Sequence, residues 1–155
     1  MVESKNLKII ETFNLAVKNH QENKIDIAQE LYNQVLKVDP NHLGTLNNLG
    51  VIFKKINEYQ TAKDCYEKII QIDPNNFKTY YNLGNIFKEL GEHQRAKDSY
   101  ESAIKIEPNF VDAHNNLGVL YKELNQIQKA KNCYEKAIEL NPNYVEAHYN
   151  LGNIF

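Results

Sequence analysis

The chain is poor in the residues that mark secreted and membrane proteins. Its 155 residues include two cysteines, one methionine, four prolines and no tryptophan. Two cysteines cannot build the disulfide framework of a small secreted protein, so the predicted location is the reducing cytoplasm. No apolar run approaches the roughly 18 residues that a membrane-spanning helix needs, so no membrane partner is expected.

The chain also lacks an excess of charge of either sign. Its 18 Lys and Arg residues and 20 Asp and Glu residues give a formal net charge of -2. Proteins dedicated to nucleic acids usually present a basic surface, so no nucleic-acid partner is expected. The 42% of hydrophobic and 25% of charged residues are those of an ordinary folded domain.

The few prolines and glycines recur with a spacing of 34 residues. All prolines and four of the six glycines follow this period: Pro40, Pro74, Pro108, Pro142, Gly50, Gly84, Gly118 and Gly152. A fixed period of this length indicates tandem structural repeats. We predict one array over 1–155, with a degenerate repeat 9–42, regular repeats 43–76, 77–110 and 111–144, and a partial repeat 145–155.

Each repeat predicts two helices. Apolar residues recur at spacings of three and four, as in Tyr80, Leu83 and Phe87, which places them on one helix face. Proline and a central Asn or Gly interrupt the helices, and a glycine inside the first stripe predicts close approach of the second helix. The predicted first helices are 5–20, 43–56, 77–90, 111–124 and 145–155. The predicted second helices are 24–37, 59–71, 93–105 and 127–139.

This pattern resembles the tetratricopeptide repeat (TPR). Repeat 77–110 carries the family pattern as Tyr80, Leu83-Gly84, Phe87, Ala96, Tyr100 and Pro108. The resemblance covers 9–155, with departures at the first aromatic position (Leu46, His114, His148) and at Thr12, Ala16 and Asn19. It implies an all-α, right-handed solenoid of antiparallel helix pairs whose first helices line a concave groove.

The resemblance also implies which residues line this groove. The sixth residue of every regular repeat is asparagine: Asn48, Asn82, Asn116 and Asn150. A primary amide can pair with both N–H and C=O of an extended peptide, and this ladder resembles the one in the repeats of O-linked N-acetylglucosamine transferase. A solvated surface in an asparagine-rich chain is the alternative interpretation.

Two further patterns fall on groove positions. The fifth and ninth residues alternate from repeat to repeat: Asn47/Val51, Tyr81/Asn85, Asn115/Val119 and Tyr149/Asn153. Lysine fills the twelfth position as Lys54, Lys88 and Lys122, with Glu89 and Glu123 beside the last two. The tyrosines are candidate anchors, and the lysines indicate either a preference for acidic peptide or ordinary solvated surface.

The family's carboxylate clamp, which holds chaperone tails ending in paired acids, is not matched. None of the basic positions of the clamp fits, since the five positions starting from repeat 77–110 read Tyr81, Asn85, Asn116, Glu146 and Asn150. Recognition of such a tail is therefore not expected.

No catalytic motif, metal site or cofactor site is predicted. His114 and His148 stand one repeat apart and are interpreted as partly buried substitutes for the aromatic residue. Cys65 and Cys133 stand two repeats apart, too far for a disulfide.

We therefore predict a non-catalytic protein–protein interaction scaffold that binds a protein or peptide partner in its groove. Two alternatives stay open. The chain could be the recognition arm, cut from a larger enzyme such as a glycosyltransferase, or a self-assembly module. Self-association is expected through 145–155, where Leu151, Ile154 and Phe155 have no second helix to cover them.

Overall fold

A computed structural model describes residues 2–154, and the side chains of residues 6–154. All regular elements in this part of the chain are helices: α1 Val2–Gln21, α2 Ile25–Val38, α3 Leu43–Lys55, α4 Tyr59–Ile72, α5 Phe77–Glu89, α6 His93–Ile106, α7 Val111–Glu123, α8 Ile127–Leu140 and α9 Val145–Gly152. The predicted all-α fold of tandem helix pairs is confirmed. The largest differences in boundary, three residues each, are at the start of α1 and at the end of α9. Helix α1 begins at Val2 and not at residue 5, and α9 ends at Gly152 although the stripe predicted a helix to residue 155.

The helices form two compact units, Met1–Pro74 and Asn75–Phe155. We call them the N-terminal and C-terminal units and describe each by itself. In the N-terminal unit α1 packs on α2, α2 on α3 and α3 on α4. In the C-terminal unit each helix from α5 to α9 packs on the next one, and α7 also contacts α5 and α9. The single array over 1–155 stays a prediction.

The turn inside each repeat has the left-handed residue that the sequence predicted. The φ angles are 62° at Asn57, 72° at Gly91 and 55° at Asn125. The next amide then bonds five residues back, as in Glu92 N–H to the Phe87 carbonyl at 2.8 Å. This hydrogen bond is typical of a helix that ends on a left-handed residue. Asn23, which was not predicted, has the same conformation at the end of α1, with φ 59°.

The core of each regular repeat is a tyrosine ring that lies over a glycine of the first helix, at Gly50, Gly84 or Gly118. In repeat 9–42 the equivalent position is the buried Ala16. Tyr32, Tyr66, Tyr100 and Tyr134 are fully buried. A Cβ atom built on Gly84 would lie 2.6 Å from the Tyr100 ring, and one on Gly118 would lie 2.6 Å from the Tyr134 ring. Real Cβ atoms do not approach other atoms so closely, so only glycine fits there. The close helix approach expected from the glycines is confirmed at Gly50, Gly84 and Gly118. At Gly152 no atom of the described residues lies within 4 Å of an added Cβ.

None of the helices in the described part of the chain is long and apolar enough to cross a membrane.

Candidate functional site: the asparagine network on the first helices

In the N-terminal unit the ladder amide bonds to the core tyrosine. Asn48 Nδ2 on α3 donates to the Tyr32 hydroxyl of α2 at 2.9 Å, and Asn47 Nδ2 lies 3.5 Å from Asn48 Oδ1. The Tyr32 hydroxyl also lies 3.5 Å from His20 Nδ1. The amide that was predicted to face a ligand is thus partly engaged inside the unit.

In the C-terminal unit the ladder amides link one first helix to the next. Asn116 Nδ2 on α7 donates to Asn85 Oδ1 at 2.9 Å and to the Tyr81 hydroxyl at 3.1 Å, both on α5. Asn150 Nδ2 on α9 donates to Asn115 Oδ1 of α7 at 3.0 Å. Each bond joins residues more than 30 positions apart, so these amides connect consecutive repeats.

These links form one continuous chain of hydrogen bonds, which we call the asparagine network. Asn115 Nδ2 donates to Asn116 Oδ1 at 3.3 Å and so joins the two bridges, and the buried Tyr100 hydroxyl donates to Asn85 Oδ1 at 2.8 Å. Asn85 and Asn115 are buried, with 8% and 5% of their surface exposed. Both were predicted as groove residues, and their side-chain carbonyl oxygens accept hydrogen bonds within the network.

Several predicted groove residues keep hydrogen-bonding capacity that the network does not use. Asn82 and Asn150 are half-buried, and Asn82 has no hydrogen-bond partner within the described part of the C-terminal unit. The Tyr81 hydroxyl accepts from Asn116, so its own hydrogen remains to be donated. Asn153 is exposed, and Tyr149 has 70% of its surface exposed. These side chains are the accessible part of the candidate site.

In the three regular repeats, the residue at the ninth position matches whether the core tyrosine has a hydrogen-bond partner. The Tyr100 hydroxyl donates a hydrogen bond to Asn85, the ninth residue of its own repeat. Tyr66 and Tyr134 belong to repeats with Val51 and Val119 at this position, and their buried hydroxyls have no hydrogen-bond partner among the described residues. Burial raises the pKa of Tyr134 to about 12, so this hydroxyl is protonated at neutral pH.

The three lysines of the twelfth position differ in their charge environment. Lys88 Nζ lies 3.6 Å from Glu123 and 3.8 Å from Glu89, which confirms the expected offset of its charge. Lys54 and Lys122 are half-buried and form no salt bridge with a described residue. The uncompensated positive charge therefore lies at these two positions.

Sequence reasoning missed the contacts made by the last residue of two repeats. Phe110, which precedes α7, packs against the rings of Phe77 and Tyr81 at centroid distances of 5.0 and 5.1 Å. Tyr144 precedes α9 and donates to Asp112 of α7 at 2.6 Å. Burial and this hydrogen bond raise the pKa of Tyr144. Both contacts position the first helices, and no local signal distinguishes them from ordinary turn residues.

The histidines play a different role from the aromatic residue they replace. Their Nε2 atoms lie 2.9 Å (His114) and 2.8 Å (His148) from the carbonyl oxygens of Pro108 and Pro142. A carbonyl can only accept, so each ring donates to the turn that precedes its helix. The expected partial burial is correct for His114, whereas His148 is exposed.

The described residues offer little to metal or thiol chemistry. No three or more His, Cys, Asp or Glu side chains within them come together to hold a metal ion. Cys65 and Cys133 are free and half-buried. Burial raises the pKa of both thiols to about 11.

The surface near the end of the C-terminal unit differs from the expected one. Leu151 and Ile154 are half-buried, and Phe155 lies outside the described residues. The exposed apolar residues of α9 are instead Val145, with 73% of its surface exposed, and Tyr149.

Solved structures give fold matches over most of this chain. The chain superimposes on MamA with a TM-score of 0.86 and 28% identity, over 99% of this chain and 82% of that chain. It superimposes on YrrB, described as a TPR protein with an unusual peptide-binding site, with a TM-score of 0.79 and 22% identity, over 99% and 79%. A third match is the first TPR of Spaghetti (RPAP3) bound to the HSP90 peptide SRMEEVD, with a TM-score of 0.69 and 28% identity, over 72% and 89%.

Sequence comparisons point to the same family. No curated protein sequence matches the chain significantly. Models of the tetratricopeptide repeat match residues 45–76, 65–98 and 111–144, and a model described as TPR repeat matches 84–125. These matches together cover 45–144 without a gap, well over half of the chain. The chain belongs to the tetratricopeptide repeat family.

Proposed function

We propose that this protein is a protein-interaction scaffold that binds an extended peptide along the first helices of its repeats. The observation that carries the proposal is the asparagine network of the C-terminal unit. It fixes a row of amides and hydroxyls on α5, α7 and α9 while leaving some of their donors and acceptors unused. We propose no catalytic activity for this chain.

The network favours binding because it holds the side chains in place before a ligand arrives. Asn116 donates to two partners, so its side chain has one orientation. A preorganised site loses less conformational entropy on binding than a mobile one. The same bonds mean that the ladder both holds repeats together and presents groups to a ligand.

The unused groups suit the backbone of an extended peptide. The Tyr81 hydroxyl and the second N–H of Asn150 can donate to peptide carbonyls, and Asn82 can both donate and accept. An extended chain advances about 3.3 Å per residue and packed helices are about 8–10 Å apart, so consecutive repeats would meet every third residue. This mode of binding, in which asparagine side chains contact the peptide backbone, is the one suggested by the resemblance to the asparagine ladder of O-linked N-acetylglucosamine transferase.

The neighbours support peptide binding in general but not one particular peptide. YrrB is described as having a peptide-binding site, and the RPAP3 repeat holds an acidic HSP90 peptide. In this chain, Tyr81 and Glu146 occupy positions where the family's carboxylate clamp has lysine. We therefore propose partners other than tails that end in paired acids.

Charge is expected to have a small influence on the choice of peptide. Among the described residues, Lys54 and Lys122 have no acidic partner, whereas Lys88 is neutralised by Glu89 and Glu123. Two separated charges favour acidic residues weakly, and salt screens them over about 8 Å at physiological ionic strength.

The proposal is tested with peptides selected on the wild-type protein. Displayed random peptides of about 12 residues, about 40 Å when extended, would provide a probe whose affinity is then measured by fluorescence anisotropy. Asn82→Ala removes an amide that has no hydrogen-bond partner among the described residues of its unit. It should therefore weaken binding roughly 2- to 10-fold and leave the melting temperature unchanged. Asn116→Ala should lower both affinity and melting temperature.

The matched control is Gln94→Ala on the exposed first turn of α6. Among the described residues, Gln94 bonds only to Asp98, one turn further along the same helix. This variant should bind like the wild type. If Asn82→Ala also binds like the wild type, Asn82 belongs to a solvated surface and the proposal is wrong.

A further inference from the structure

The first helix pair contains a cleft at the position where the repeat pattern calls for an aromatic residue. The cleft measures about 410 Å³ and lies between α1 and α2. Its lining includes Ile9 and Thr12 of α1, Val35 and Val38 of α2, and the two lysines Lys8 and Lys37. Thr12 stands at the fourth position of its repeat, which is Tyr80 in repeat 77–110. A side chain as short as threonine leaves the space between the helices unfilled.

The cleft suits an aromatic side chain with an acidic neighbour. Val35 is 1% exposed and Val38 is 38% exposed, so the space has an apolar wall. Its volume falls in the range of pockets that hold small ligands, about 300–1,000 Å³, which is ample for one ring. Lys8 and Lys37 form no salt bridge with a described residue and leave positive charge on the rim.

Helix α9 presents such a side chain. Tyr149 and Val145 are four residues apart, so they lie on one helix face, and 70% and 73% of their surfaces are exposed. Ala147 is fully buried on the opposite face, which is the face that packs on the unit. Glu146 is exposed beside the Tyr149 face and forms no salt bridge with a described residue.

We propose that α9 of one molecule docks in the α1–α2 cleft of a second copy, with Tyr149 filling the position of the missing aromatic and Glu146 facing Lys8 and Lys37. The two surfaces differ, so the contact is heterologous and adds molecules head to tail. The contact is small compared with stable interfaces, so association should begin at about 100 µM or above. This inference goes beyond the peptide-binding proposal and needs no peptide for its test.

The test uses two variants that each block one side of the contact, studied by sedimentation velocity up to about 1 mM. Tyr149→Ser removes the docking ring and leaves the cleft intact. Thr12→Tyr fills the cleft from within and leaves α9 intact. Each variant alone should associate at least about tenfold more weakly than the wild type. Their equimolar mixture should form one-to-one dimers and nothing larger, because each molecule has one working surface.

Three further measurements keep the test decisive. Thr12→Tyr should unfold at the wild-type temperature or above, which shows that the new ring fits the cleft. Lys37→Glu should weaken association, and Glu146→Lys in the partner molecule should restore it. A wild-type chain that stays monomeric, a Thr12→Tyr variant that associates normally, or a mixture that stays monomeric would overturn the inference.

Discussion

The hydroxyl groups of two equivalent core tyrosines should have opposite effects on stability. Tyr100 and Tyr134 occupy the same position in consecutive repeats, and both are fully buried. The Tyr100 hydroxyl donates to Asn85 at 2.8 Å, whereas the Tyr134 hydroxyl has no partner among the described residues. Replacement of each by phenylalanine removes one oxygen atom and keeps the ring over its glycine.

The expected magnitudes follow from what each hydroxyl does. Tyr100→Phe loses one buried hydrogen bond, which should lower the free energy of unfolding by about 0.5–1.5 kcal/mol. Tyr134→Phe removes a polar group that is buried without a partner, so it should leave stability unchanged or raise it by about 1 kcal/mol. One kcal/mol corresponds to about 2–4 °C in melting temperature for a chain of this size.

The assay is urea unfolding followed by circular dichroism, with both variants and the wild type in one buffer. A third variant, Val119→Asn, supplies the ninth-position amide that Asn85 provides to Tyr100. In that background Tyr134→Phe should become destabilising, because the hydroxyl now has a partner to lose. The reasoning would be refuted if Tyr134→Phe destabilised the wild-type protein as much as Tyr100→Phe does.

Two further predictions concern packing and thiols. Gly84→Ala should destabilise the protein by about 1–3 kcal/mol in urea unfolding, because its Cβ would lie 2.6 Å from the Tyr100 ring. Gly152→Ala should not destabilise it, because no atom of the described residues lies within 4 Å of the added Cβ. Cys133 should react slowly with a thiol reagent in the folded state, because burial raises its pKa to about 11. Since the folded pKa is above the unfolded value of about 9, the linked stability is present below pH 9 and is lost as the pH rises towards 11. Rapid reaction of the folded protein at pH 8, or urea stability that stays flat from pH 8 to 11, would contradict this.

The fold could be predicted because its determinants are local. Proline lacks the N–H that the interior of a helix needs, so α6 ends before Pro108. Gly91 and Asn125 favour the left-handed conformation that ends a helix. The glycine at 84 and the tyrosine at 100 are close in sequence, and their packing follows from the helix pair that joins them. For these reasons the predicted boundaries of α2 to α8 lie within one residue of the observed ones.

The site could be predicted only in part because its contacts are not local. The sequence identifies Asn116 and Asn150 as equivalent, but it does not say that one donates to Asn85 and the other to Asn115. Amide orientation depends on the neighbours from the previous repeat, 31 and 35 residues away. The sequence does contain one indication that the Tyr134 hydroxyl lacks a hydrogen-bond partner. Val119, at the ninth position of the same repeat, has a side chain that cannot accept a hydrogen bond.

The tyrosine rings over the glycines also bear on how the molecule can move. If one helix of a pair slid along the other by one residue, it would move by about 1.5 Å. The glycine would then leave its place under the tyrosine ring, and a neighbouring residue with a Cβ atom would collide with the ring. The pair α5–α6 is therefore locked against sliding by Tyr100 and Gly84, and α7–α8 by Tyr134 and Gly118. Any change in the spacing of the first helices must then arise between the pairs, at the short proline turns, with each pair moving as a rigid body.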